Sequence, residues 1–135
     1  MASGDPTGDR LVIWTRVTTT AAEPPPVSWT VATDPDLSDI VASGTTTTDP
    51  DADGTVHVDV EGLRPGTTYH YGFEALRERS PVARTRTLPP PDADHLRIAM
   101  VSCAKYAAGF FNAYGRIAER DDLDFVLHLL SLIHI

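Results

Sequence analysis

The sequence predicts an antiparallel β-sandwich followed by the opening βαβ piece of an α/β domain. Three observations predict it. Up to residue 88, short segments of alternating apolar and polar residues are separated by turn residues. A proline-rich break, "LPPPDAD", then covers 88–94. Beyond it the apolar runs become more continuous, as in strands covered on both faces.

The elements follow in order. "RLVIWTRV" (10–17) is rich in strand formers and follows a turn at Gly8-Asp9. In "PPPVSWTVATD" (24–34) the prolines exclude a helical start, and Val27, Trp29 and Val31 alternate with Ser28, Thr30 and Ala32. "DIVASGTTTT" (39–48) is a weaker strand. "GTVHVDVEGL" (54–63) has the clearest period of two, with Val56, Val58 and Val60 on one face and His57, Asp59 and Glu61 on the other. "TTYHYGFEAL" (67–76) repeats it with Tyr69, Tyr71, Phe73 and Ala75 inward, and "PVARTRTL" (81–88) sets Val82 against Arg84 and Arg86. Past the proline linker, "LRIAMVSC" (96–103) and "LDFVLHL" (123–129) read as strands. Between them "GFFNAYGRIAERD" (109–121) carries a helical period through Phe110, Tyr114 and Ile117. Strand, helix and strand with short links make a right-handed βαβ unit, whose ligands gather at the carboxyl ends of its parallel strands.

Composition excludes several classes. At 135 residues the chain holds one domain, or one small domain and part of another, and its 41% apolar share is that of a globular protein. A formal net charge of −8 argues against nucleic-acid binding, which needs clustered Lys and Arg. The apolar run "FVLHLLSLIHI" (125–135) is too short to span a bilayer and holds His128 and His134. A single cysteine, Cys103, rules out an internal disulfide.

Four groups of residues carry candidate roles. Leu63, Pro65, Gly66 and Tyr69, in "GLRPGTTYHYGFEA" (62–75), resemble the corner of an immunoglobulin/fibronectin III-like sandwich. There a Leu anchors the loop, Pro-Gly turns it, and a Tyr plugs it with its hydroxyl on the backbone. Asp49, Asp51, Asp53 and Gly54 match part of a calcium loop, but Val60 stands where the closing Glu belongs, and an acidic hairpin turn explains the same residues. His57 and His70 are expected on outward faces of two neighbouring strands, without the third ligand that zinc requires. Cys103 ends the first apolar run of the βαβ unit, where it is either a small buried hydrophobe or a ligand or nucleophile.

Taken together, "ASGDP" at the start, "VSC" after the linker and "AERDDLDFVLHL" beyond it resemble the PhoD-like alkaline phosphatase family over about residues 2–129. The resemblance implies an N-terminal sandwich over 1–88, a linker over 89–95 and a truncated metallophosphatase domain over 96–135. It implies an exported enzyme hydrolysing phosphate mono- and diesters with metal-activated water, dependent on iron and calcium. By position Cys103 matches an iron ligand, and a thiolate is a strong, soft donor for such an ion. A fibronectin III-like binding module without catalysis is the alternative.

The family pattern implies Gly-Asp-Tyr-Ile-Tyr-Glu after His128 and Leu129, with its Asp and second Tyr as further ligands. Here Leu130–Ile135 read Leu-Ser-Leu-Ile-His-Ile. That string is the translation of CTG TCT CTT ATA CAC ATC, the end of a transposase-based sequencing adapter, so these six residues are expected not to be protein sequence. "MASGDPTGD" (1–9) has neither the basic start nor the apolar centre of a signal peptide. Met1 stands where the family usually has Val, so an export signal is expected ahead of it. The chain alone is expected to be inactive, its ion cage being incomplete.

Overall fold

The computed structural model describes residues 1–20, 23–104 and 109–129. Residues 130–135, expected to be foreign to the protein, lie outside the described residues. The chain divides after Pro90 into two units.

The first unit is two antiparallel sheets facing each other across one core. One sheet has the order β1 (Ala2–Gly4), β2 (Leu11–Arg16), β5 (Thr55–Val60). The other has β4 (Ile40–Thr47), β3 (Pro26–Ala32), β6 (Thr68–Ala75), with the two-residue β7 (Glu78–Arg79) and β8 (Ala83–Arg86) both paired to β6. Alternation explains the core. Leu11 and Ile13 from β2 and Val56 and Val60 from β5 meet Val27 and Val31 from β3 and Tyr69, Tyr71 and Phe73 from β6. Burying a side chain of this size stabilises the fold by about 1.5–3 kcal/mol. Burial also pushes the Tyr71 phenol above its ordinary pKa, while a hydrogen bond with the Ser3 side chain pulls the other way. That contact ties β1 to the facing sheet.

Three expectations are corrected here. Val82 is 45% exposed, whereas Thr87 is fully buried. The register sets Ala83 opposite Tyr71 and Thr85 opposite Tyr69, so the odd-numbered residues of β8 share the tyrosines' face and the even ones point away. His57 and His70 lie on strands of different sheets, not on neighbours, and His57 instead stacks on Trp14 with ring centroids 6.1 Å apart. The strands β1 and β7 were not foreseen, being too short to show a period.

Asp34 organises the loop between β3 and β4. Its carboxylate accepts from the backbone N–H of Asp39 at 2.6 Å, of Ser38 at 3.1 Å and of Asp36 at 3.1 Å, and from Ser38 Oγ at 3.0 Å. These donors, Asp39 and Ser38 foremost, hold its pKa down to about 2. A folded-state pKa below the ordinary value means a stabilising contribution complete above about pH 4 and lost as pH falls through about 2. Asp34→Asn is therefore expected to lower the urea midpoint near neutral pH and to show a much smaller deficit at about pH 2. An equal deficit at both pH values would refute the assignment.

The second unit holds β9 (Ile98–Val101), α1 (Asn112–Ala118) and β10 (Phe125–His128). β9 and β10 pair in parallel, with Phe125 opposite Ile98 and His128 opposite Val101. The helix is shorter than the span 109–121 predicts. Phe111 precedes it in the left-handed region at φ 51°, so Phe110 falls outside and is 92% exposed, not on a helical apolar face. Among the described residues, no helix is long and apolar enough to cross a membrane.

Candidate functional site

Cys103 lies two residues past the carboxyl end of β9. Its thiol is free and exposed. Its backbone is left-handed, with φ 54°, an uncommon state for a non-glycine residue. Ser102 Oγ approaches the sulfur at 3.5 Å. Across the ladder the Leu129 N–H donates to the Val101 carbonyl at 3.0 Å, so β10 ends level with the Ser102-Cys103 turn. This is the edge of a parallel sheet where ligands collect.

A side-chain pair braces that edge, and further contacts close the amino end of the strand pair. His128, the last residue of β10, meets Tyr114 of α1, with Tyr114 Oη 2.8 Å from His128 Nε2 and the rings stacked at 11°. The turn from α1 to β10 is closed by Arg120, whose Nε and Nη2 hold Asp122 at 2.8 and 2.7 Å. Hydrogen bonding to Arg120 holds the Asp122 pKa down to about 2. Asp124 accepts from the Arg97 N–H at 2.8 Å through its carboxylate, and its own N–H donates to the Arg97 carbonyl at 2.9 Å. The Tyr114–His128 pair was not legible as a pair. Its partners are 14 residues apart, one on a helix and one on a strand, so no single period links them.

The corner residues lie in the first unit. Leu63 is buried in the core and its N–H donates to the Asp9 carbonyl at 2.9 Å. Pro65 precedes Gly66, which takes φ 60° and donates its N–H to the Leu88 carbonyl at 2.8 Å. The Tyr69 hydroxyl accepts from the Arg64 N–H at 2.9 Å. On the other side of the same residue, Thr87 Oγ1 donates to the Arg64 carbonyl at 2.6 Å and accepts from the Thr67 N–H at 3.1 Å. Thr87 gave no signal in the sequence beyond its place in a Thr-Arg alternation.

The acidic loop is a turn. Asp49 caps the 3-10 turn Pro50–Ala52 by accepting from the Asp51 N–H at 2.9 Å. Asp53 pairs with Arg16 at 2.8 Å, away from any shared centre. Among the described residues, no group of three His, Cys, Asp or Glu side chains could hold a metal ion.

Residues 1–89 match the family described as PhoD-like phosphatase, N-terminal domain. The chain belongs to the PhoD-like phosphatase family. It is similar to alkaline phosphatase D of Bacillus subtilis (strain 168), 38% identical over 146 aligned positions that take in 99% of this chain and 24% of that protein. It is also similar to a solved structure titled "Structure of PhoD", at 39% identity and a TM-score of 0.86, over 95% of this chain and 26% of that one. The chain thus spans about a quarter of the length of these relatives. Cys103 falls outside the matched N-terminal family domain, in the part that both relatives also cover.

Proposed function

We propose that this chain is the leading portion of an exported, metal-dependent phosphoesterase that hydrolyses phosphate mono- and diesters, and that it is inactive by itself. The observation that carries the reading is the exposed Cys103 thiol at the carboxyl edge of a parallel strand pair, in a chain 38% identical over 99% of its length to an alkaline phosphatase D. The division into a sandwich over 1–88, a linker over 89–95 and the start of a catalytic domain over 96–135 belongs to the same proposal. The order β1-β2-β5 facing β4-β3-β6-β8 supports an immunoglobulin/fibronectin III-like assignment for the sandwich.

Metal ions in such enzymes supply the Lewis acidity that polarises the ester and activates water. Cys103 fits one soft donor for iron. A single thiolate is no cage, however, and among the described residues no group of three His, Cys, Asp or Glu side chains could hold iron or calcium. No step of the chemistry is therefore assigned to this chain's own residues.

The test is a chimera joining residues 1–129 to the remaining portion of alkaline phosphatase D. With iron and calcium added, the chimera is expected to hydrolyse p-nitrophenyl phosphate and its bis-ester, and the 135-residue chain is not. Cys103→Ser in the chimera should lose bound iron and at least ~100-fold in kcat/KM, the scale of a lost catalytic metal ligand. Turnover by the chain alone would overturn its inactivity. Unchanged iron content in the Ser variant would remove Cys103 from the donor set.

A further inference from the structure

We propose that Tyr114 and His128 form a positioning pair, holding α1 against the carboxyl end of β10 and so fixing the strand edge beside Cys103. The need for such a pair follows from the helix. α1 has seven residues, Gly115 at its centre, no side-chain N-cap and no buried residue. A helix this short is not stable on its own hydrogen bonds, so contacts with other elements must place it.

The Tyr114–His128 contact is suited to that task. A hydrogen bond of 2.8 Å and a stacked ring pair with centroids 6.1 Å apart act together on the same two side chains. The phenol donates when Nε2 is bare, and Nε2–H donates to the phenol oxygen when it is not. The bond therefore survives a change of tautomer. Phe111 adds an edge contact to Tyr114 at 5.8 Å, directing the ring from the helix start. On the strand side, His128 stands opposite Val101, and the next residue closes the ladder through Leu129 N–H to the Val101 carbonyl. Ser102 and the left-handed Cys103 follow Val101 directly. Loss of the clamp at His128 would thus reach Cys103 through a single ladder bond. The pair's relevance to phosphoester chemistry rests on the proposed role of Cys103; the pair itself does not.

Amide hydrogen exchange on the full 135-residue chain tests it without metal or substrate. In Tyr114→Phe and His128→Ala the Leu129 amide is expected to exchange roughly fivefold faster, the effect of one net hydrogen bond on a local opening. The Cys103 amide resonance should shift in both variants. His128→Gln keeps a hydrogen-bonding atom close to the position of Nε2, and should restore exchange to within about twofold and return the Cys103 resonance. Exchange at Val27 and Tyr71 in the sandwich should not change, which separates a local effect from misfolding. The proposal is overturned if Tyr114→Phe moves neither signal, if Gln fails to restore them, or if the parent's Leu129 amide is already unprotected. Each of those results leaves the phosphoesterase reading standing, whereas an inactive chimera with normal Leu129 protection would sink that reading alone.

Discussion

Replacing Tyr69 by Phe is expected to destabilise the sandwich by about 1–3 kcal/mol, the usual consequence of removing one partner from a buried hydrogen bond. The ring is 1% exposed and would stay in place, so the loss falls on the hydroxyl and the Arg64 N–H it accepts from. Thr87→Val should have a similar effect by a different route. Val keeps the shape but strands both the Arg64 carbonyl and the Thr67 N–H. Because Tyr69 and Thr87 hold opposite sides of Arg64, the double variant should lose less than the sum of the two singles. Thermal and urea unfolding followed by the fluorescence of Trp14 and Trp29 would measure all three. In a domain of this size each kcal/mol moves the midpoint by roughly 4–8 °C. A Tyr69→Phe chain that melts with the parent would show that water or another donor already serves the Arg64 peptide.

The same corner shows how far the sequence could be read. Leu63, Pro65, Gly66 and Tyr69 are visible as a motif because they are close in sequence and chemically distinct. Thr87 is not, since a buried threonine with backbone partners looks the same as a surface one until the pairing register is known. The period of two located the inward rows of β5 and β6, where large and polar residues alternate sharply. It failed at β8, where the register sets Ala83 opposite Tyr71 and Thr85 opposite Tyr69, so that these small residues and not Val82 share the tyrosines' face. Apolar period also overran the helix. Phe110 has the right spacing for the helical stripe, but the left-handed Phe111 turns the chain before α1 begins. At the candidate site, the position of Cys103 could be deduced from the end of an apolar run. Its bracing could not, because Tyr114 on a helix and His128 at a strand end share no period in the sequence.

Gly54→Ala is expected to cost roughly 2–5 kcal/mol, from the left-handed backbone and from a steric clash together. Gly54 has φ 68°, and a Cβ there would lie 2.6 Å from the Val17 carbonyl oxygen. The approach is part of the design of the turn. The Val17 N–H donates to the Gly54 carbonyl at 3.0 Å, and the Gly54 N–H donates to the Asp49 carbonyl at 2.9 Å. Moving Gly54 to relieve the clash would break at least one of these bonds. Its neighbours should behave oppositely. The Asp53–Arg16 pair is half or more exposed on both sides, so Asp53→Asn is expected to change stability by no more than about 1 kcal/mol. Asp51→Asn removes a carboxylate on the exposed face of the turn and should be close to neutral. This ranking separates the two readings of the acidic loop. A calcium loop would make the carboxylates the sensitive positions, and added calcium would raise the melting temperature of the parent by mass action. A hairpin turn leaves the carboxylates tolerant and calcium without effect, while the glycine is sensitive in either reading. Thermal unfolding of the three variants, each with and without calcium, gives either one pattern or the other. Sensitive carboxylates combined with a calcium-dependent midpoint would overturn the turn reading.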